Sequence, residues 1–530
     1  MRTLGPTETV GKILLALALG LLADAAPISA ADTHDAPAPV STASGLLQGV
    51  EQAGVTIYLG VPFAAPPVGD LRWRAPRKVP PWNGVRTAAH VGNLCMQQRL
   101  QGPEARMPGG PAVSDVLSED CLYLNLWVAQ RPGAAKLPVL VYIHGGSFEH
   151  GSGGQPEFDG ANLARRGAVL VTLNYRLGRF GFFAHPALTR ESPAAPIGNY
   201  GILDQIAALN WVRQNVAAFG GDPGNITLVG ESAGGISVSY LMESPLARGL
   251  FQRAIIESGI ISGPPRGAAT TLPQAETAGM AAAKSWGLAQ ANPAALRRVS
   301  AEQVLGSATA PSAPSAWPMI DGKIIPEDLT AAFAAGHIAH VPLLLGTNTH
   351  EVGFGPLSQL PRGMSQRLGA RWSEVTATID GYGTHRTDYI EDELVTDMMF
   401  TAPTRLVAQV AAQHGLPTYL YSFSYIRPSQ RGQVPGPSHF DETYAVFGTM
   451  GLVEPRVGAD TDRIIDEVQS RWVRFAKTGQ PTQVAAQWPR FTPDAESLLE
   501  FSNTGPIVRT HFASERVTLA DKFTSATQGR

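Results

Sequence analysis

Cysteine is nearly absent from this chain: Cys95 and Cys121 are the two it has in 530 residues. Two thiols cannot frame a disulfide-rich fold, and without histidine beside them they make a poor zinc site. They could close the stretch 95–121 in an oxidising compartment, or stay two buried free thiols; spacing alone allows both. Charge is sparse too, at 16% of residues, with 41 Lys and Arg against 44 Asp and Glu for a formal net charge of -3. That balance, with no concentrated basic block, excludes a polyanion partner such as nucleic acid. A small, uncharged or mildly polar substrate is the simpler expectation.

Long hydrophobic runs are missing as well. The uninterrupted apolar run Ile13–Leu22 falls short of the about 20 residues needed to cross a bilayer. Arg2 and Lys12 precede it, and mostly small residues follow from Ala23 to Ala31. Basic, apolar and small-residue regions in that order read as a secretory signal over 1–31, cleaved after Ala25 or Ala31. The expected product is exported, periplasmic or secreted, with no stable membrane insertion once the signal is removed.

What is present is a core-forming composition, 44% hydrophobic, sufficient for one large domain. Residues 32–48, rich in Ala, Pro, Ser and Thr at their start, read as a flexible lead-in. The remainder, 49–530, reads as a single α/β domain. Val55–Phe63, Val139–Ile143, Val169–Leu173, Ile226–Val229, Ala254–Ile256, Val341–Leu345 and Tyr419–Phe423 have the apolar character of strands. Helical spacing at Ile202, Ile206, Leu209, Val212 and Val216 lies between two of them, and again over Asp462–Phe475. Apolar strands alternating with helices predict a large, mostly parallel sheet covered on both faces. Stretches around 261–315 and 355–415 read as helical inserts over that sheet.

The chemistry is concentrated at strand ends. Gly230-Glu231-Ser232-Ala233-Gly234 follows the strand Ile226–Val229 and precedes a helical stretch from Gly235 to Met242. This is the pattern of a nucleophile elbow, a sharp strand-to-helix turn that projects a serine hydroxyl. Alone it is a short pattern that chance supplies easily. His144-Gly145-Gly146-Ser147, at the end of another strand, adds a loop whose backbone N–H groups can receive a developing oxyanion. The amide of Ala233 is the further expected donor.

A serine nucleophile needs a base and an orienting carboxylate. His439, in a Pro/Gly-rich loop after the strand Tyr419–Phe423, is the best base. His144 beside the oxyanion loop suits a structural hydrogen bond, and His337 and His340 suit a solvated connection. His350, adjoining Glu351, is the serious competitor. Glu351, shortly after the strand Val341–Leu345, is the expected acid, with Asp321 the alternative if it is more than a turn residue. Glu231 stands beside the nucleophile, where it can tune the pocket or fix the elbow.

These motifs together resemble the type-B carboxylesterase family, which includes the cholinesterases. The resemblance runs from about Gly49 to Phe475. It is carried by Tyr58–Ala64, Ser118–Asn125, His144–Phe148, Phe219–Pro223, Gly230–Gly234, Gly346–Glu351 and His439 ahead of Phe447-Gly448. It implies an α/β-hydrolase fold, with Ser232 as nucleophile, Glu351 as acid and His439 as base. The implied oxyanion donors are the amides of Gly146, Ser147 and Ala233, and the implied early disulfide is Cys95–Cys121. Such a site works through an acyl-enzyme on a small-molecule ester and needs no metal or organic cofactor. Phe148, Glu149, Phe182 and Trp317 are candidate pocket residues.

Three positions depart from the family pattern: Ser147 on the oxyanion loop, Val352 after the acid and Phe440 after the histidine. Each is expected to reshape the site without removing a reacting group. An amidase, lactonase or polyester hydrolase would share all these motifs. A non-catalytic binding module on the same fold is the remaining alternative, although all three reacting residues are present.

Overall fold

The parallel strands of the central sheet carry apolar residues on both their faces, so each face must be covered. In Leu137–Ile143, Val139, Val141 and Ile143 enter one apolar core while Leu140 and Tyr142 enter another. Leu343–Asn348 repeats this, with Leu343 and Leu345 on the first face and Leu344 on the second. A period of two with no polar side is the signature of a sheet sandwiched between helices.

The computed structural model describes residues 37–527, except 100–114, 130–135, 192–193, 196, 261–270, 289, 307–315, 354–356, 359, 381–385 and 456. The expected signal over 1–31 therefore lies outside the described residues. From Ala36 to Arg530 the chain is one unit.

Its main sheet has eleven strands: β1 Val50–Gln52, β2 Val55–Pro62, β3 Tyr123–Ala129, β4 Leu137–Ile143, β5 Val169–Leu173, β6 Gly221–Glu231, β7 Arg253–Glu257, β8 Leu343–Asn348, β9 Thr418–Phe423, β10 Leu498–Ser502 and β11 Gly505–Arg509. Their spatial order is β11-β10-β9-β8-β7-β6-β4-β5-β3-β2-β1. The block from β10 to β5 is parallel, and the strands at both edges are antiparallel. This is the mostly parallel, two-sided α/β-hydrolase sheet that the sequence predicts.

Seven helices matter below: α1 Tyr200–Asn215, α2 Ala233–Glu243, α3 Thr387–Thr396, α4 Ala402–Gln413, α5 Asp441–Phe447, α6 Ala459–Thr478 and α7 Ser514–Thr527. Helices α1, α2 and α4 cover one face of the sheet, and α5 and α6 the other. Ile464, Val468, Trp472 and Phe475 recur at helical spacing along α6 and are all buried. Each aliphatic or Phe side chain so buried contributes about 1.5–3 kcal/mol relative to exposure. The expected helix over Asp462–Phe475 is this one, longer by three residues at each end. Gly479, at φ 75, ends it in the left-handed conformation that glycine adopts most cheaply.

Three expectations shift. Residues 40–48 are not a loose lead-in: Val40–Thr42 and Gly45–Gln48 form an antiparallel hairpin that also pairs with Val85–Thr87. Leu47, fully buried, anchors it. The strand placed at Val341–Leu345 runs instead over β8, because Pro342 cannot donate to the ladder while Gly346–Asn348 pair with Tyr421–Phe423. Within 355–415, α4 is no insert: Val407, Ala408 and Ala411 pack on the main core.

Cys95 and Cys121 are disulfide-bonded, with Cα atoms 4.9 Å apart. Closing a loop of this length stabilises by about 3.5 kcal/mol on the loop-entropy account.

Candidate active site

β6 ends at Glu231 and α2 begins at Ala233, so Ser232 is the whole turn between strand and helix. Its φ of 55° and ψ of -124° lie far from ordinary serine backbone, a strain of about 1–3 kcal/mol that the surroundings must hold. They do so by close approach. The amide of Ser232 donates to Glu257 O at 2.9 Å. Gly234 lies so near β4 that a Cβ there would sit 1.9 Å from Ile143 O. The glycine lets the turn press against the neighbouring strand, and that pressure thrusts the serine outward.

His439 Nε2 lies 2.8 Å from Ser232 Oγ, and its Nδ1 lies 2.7 Å from Glu351 Oε2. Glu351 is fully buried; its other oxygen accepts from the Asn348 amide at 2.8 Å and from Ser258 Oγ at 2.7 Å. A carboxylate so engaged fixes the tautomer with hydrogen on Nδ1, leaving the Nε2 lone pair for the serine proton. The turn bearing Glu351 and the loop bearing His439 are joined directly, by the His439 amide donating to Glu351 O at 3.3 Å.

Sequence reasoning overlooked the layer behind these three residues. Ser258 has one hydrogen and two carboxylates within reach, Glu351 and, at 3.1 Å, Glu442. If it donates to Glu351, Glu442 must supply a proton to Ser258 Oγ. Burial, reinforced by the nearby Glu351 charge, raises Glu442 to about 7, which suits that role. Asn348 Nδ2 ties Glu442 to the backbone of Ser438, just before His439. Phe400 packs against the imidazole at a tilt of 46°, with ring centroids 5.2 Å apart. Ser258 could have been suspected, since Glu257-Ser258-Gly259 ends the strand beside the nucleophile strand, where sites in parallel sheets gather. Glu442 and Phe400 left no local signal.

Glu231 is buried, with Oε1 3.2 Å from His439 Nε2. Its other oxygen presses against the oxyanion loop: a Cβ on Gly145 would lie 2.6 Å from Oε2. Burial raises Glu231 to about 8. Burial pulls His439 down, but the carboxylates of Glu231, Glu351 and Glu442 outweigh it and bring the imidazole up to about 9. A proton on Glu231 removes one of those charges, so neutral Glu231 leaves His439 an effective base. Glu231→Gln makes that neutrality permanent. The pKa governing the acid limb of kcat/KM is therefore expected to fall, by about one unit, extending activity to lower pH. An acid limb that stays put or moves upward would contradict this.

The oxyanion loop is held by three successive residues in the left-handed region: Gly146, Ser147 and Phe148, at φ 99°, 56° and 60°. A side chain at Gly146 would collide with His150 O at 2.3 Å. Glu149 and His150 both donate their amides to Gly146 O at 2.9 Å, closing the turn. Phe148 is fully buried, edge-on to Phe182 at 5.2 Å and to Trp317 at 4.8 Å. These rings brace the loop, and Phe182 and Trp317 also line a cavity together with Phe183 and Met319. Glu149 is half-buried beside them. Ser147 is exposed in front, and the amide of Ala233 opens α2, where an N–H has no intrahelical acceptor.

The other candidates separate cleanly. His144 is buried, stacked on Tyr175, and donates Nδ1–H to Gly145 O at 2.8 Å; burial lowers it to about 4. Asp321 Oδ1 accepts from the amides of Lys323, Ile324 and Ile325, which makes it a turn residue. His337 pairs with Glu327 at 2.7 Å, and His340 approaches Gly336 O. Val352 enters a small core with Val375 and Leu394, and Phe440 packs against Phe158 and Tyr444. These two departures reshape the packing behind the site.

A hydroxyl bonded to an imidazole that is bonded to a carboxylate can lose its proton as it attacks a carbonyl. Comparison with known proteins agrees with that chemistry. The Carboxylesterase family matches residues 36–520. A fumonisin B1 esterase of Sphingopyxis macrogoltabida is 34% identical over 93% of this chain and 92% of its own length. A para-nitrobenzyl esterase of Bacillus subtilis is 36% identical over 87% of this chain and 94% of its own. Among solved structures, a thermophilic PNB esterase superposes with a TM-score of 0.76 at 32% identity, covering 91% of this chain and 99% of that one.

Proposed function

Because the chain belongs to the carboxylesterase family, we propose that it is a serine carboxylic-ester hydrolase, with Ser232, His439 and Glu351 as its reacting triad. The observation that carries the reading is the unbroken line of short contacts, 2.8 Å from Ser232 Oγ to His439 and 2.7 Å from His439 to Glu351. His439 takes the Ser232 proton as Oγ attacks the ester carbonyl. The resulting oxyanion is received by the amides of Gly146, Ser147 and Ala233. His439 then protonates the leaving alcohol, giving an acyl-Ser232 ester. Water then attacks the acyl carbonyl as the same imidazole takes its proton, and His439 returns that proton to Ser232 Oγ as the acyl–Oγ bond breaks and the carboxylic acid leaves.

During transfer the imidazolium carries a charge that Glu351 and the nearby Glu231 stabilise. Ser258 and Glu442 keep Glu351 oriented. The favoured substrate is a small or medium uncharged ester. The signal pattern over 1–31 supports export, and so does the Cys95–Cys121 disulfide, which an oxidising compartment preserves.

Matched substrates test the reaction class. With one acyl group presented as a 4-nitrophenyl ester and as the 4-nitroanilide, kcat/KM is expected to favour the ester strongly. A preference for the anilide would replace the esterase reading with an amidase.

A further inference from the structure

The triad acid and base arrive on separate segments, and His350 lies where those segments meet. It stands between Thr349 and Glu351 and is only 4% exposed. Its Nδ1 lies 3.2 Å from Glu393 Oε1, and its Nε2 lies 3.7 Å from Asp392 Oδ2, both carboxylates of α3. On its other side is the loop that leads into His439: a Cβ on Gly436 would come within 2.9 Å of His350 Cβ. Gly353 closes the ring's edge, since a Cβ there would lie 2.8 Å from His350 Cδ2 and 3.5 Å from Ser438 Cβ. The imidazole thus fills the point where the acid turn, the histidine loop and α3 converge.

The clamp extends outward. Arg516 of α7 binds Glu393 and, at 2.8 Å, Asp397, so the carboxylate that grips His350 is itself gripped. The other acids of α3 face elsewhere: Glu391 accepts from the Ser365 amide at 2.8 Å, and Asp388 pairs with exposed Arg386. The segment Asp397–Thr401 continues α3 as a π-helix and carries the Phe400 ring that packs against His439. Helix α3 and its continuation therefore touch both halves of the triad, one through His350 and the other through Phe400. A buried histidine satisfied by any neighbouring carboxylate would need none of this placement.

We propose that His350 is a positioning residue: held by Glu393 and Asp392, it presses the Glu351 turn against the His439 loop and sets the acid–base geometry. This rests on the triad reading above. Displacement of reacting groups by about 1 Å costs on the order of a hundredfold in rate, so loss of the clamp should lower kcat while barely touching substrate binding.

The test compares His350→Leu, which removes the donor to Glu393, with His350→Asn, whose side-chain amide can place a donor near the position of Nδ1. Both are measured beside native protein and Ser232→Ala, with competent sites counted by a fluorophosphonate. Per competent site, His350→Leu is expected to lower kcat about ten- to a hundredfold with KM within about twofold, and His350→Asn to recover most of the loss. Glu393→Gln should act in the same direction, and combining it with His350→Leu should add little further loss.

The proposal is overturned if His350→Leu keeps native kcat, or if Asn is as damaging as Leu. Should His350→Leu fail to fold, an unchanged kcat in Glu393→Gln overturns it equally. Native turnover that survives Ser232→Ala would defeat the triad reading itself, an outcome separate from failure of the clamp.

Discussion

Ser232→Ala is expected to lower kcat toward esters on the order of a millionfold, because it deletes the oxygen proposed to form the covalent intermediate. The substitution removes one oxygen from a half-buried residue. Alanine must still adopt φ 55°, and the contacts that hold the turn are made by backbone and by Gly234, so the elbow should persist. KM should change little, since the oxyanion amides and the surrounding walls stay in place. The residual rate would come from binding and the oxyanion loop alone. Steady-state kinetics with a chromogenic ester, at enzyme concentrations high enough to see that residue, measures the effect. A loss of less than tenfold would mean that another group performs the attack.

Glu351→Gln is expected to cost about ten-thousandfold in kcat with the protein folded. The amide is isosteric with the carboxylate, and its oxygen can still accept from the Asn348 amide or Ser258. What it cannot do is accept on that side and from His439 Nδ1–H at once, or balance an imidazolium. If its nitrogen faces Nδ1, it donates, and the ring moves its hydrogen to Nε2. The histidine then cannot take the Ser232 proton. Glu442 lies close behind, 3.1 Å from Ser258, but Ser258 stands between it and the imidazole and it cannot substitute directly. Kinetics paired with thermal unfolding decides this: native-like stability with near-native kcat would show that Glu351 does not orient the base.

The proposed reacting residues were legible in the sequence because each sits at a strand end inside a short, ordered motif. Ser232 follows β6, Glu351 follows β8 and His439 follows β9, and β-strand patterns are local and apolar enough to recognise. The parallel sheet was legible for the same reason. Harder were β3, β10 and β11, toward the antiparallel margins of the sheet. In β10 and β11, Glu500 and Arg509 break the apolar run, and their pairing is decided by partners far along the chain. The hairpin at 40–48 was hidden by composition, since Ala, Ser and Thr suggest looseness until Leu47 is seen to be buried.

The supporting residues of the site were invisible for a different reason. Glu442 is 91 residues from Glu351, and Phe400 is 39 from His439; their roles exist only after folding brings α5 and the π-helical turn alongside. His350 was noticed for the wrong property. Its neighbour Glu351 suggested a rival acid–base pair, whereas Glu351 points to His439 and His350 turns to α3. Adjacent residues on a turn can face opposite ways, and one-dimensional spacing does not record that.

The central claim is that an ester leaves its acyl group on Ser232. Acid quench during turnover of an activated ester, followed by proteolysis and mass spectrometry, tests it directly. The account predicts the acyl mass on the peptide containing Gly230–Gly234, localised to Ser232 and absent from Ser232→Ala. An acyl group found on another residue, or one that persists at the same level in Ser232→Ala, would contradict it.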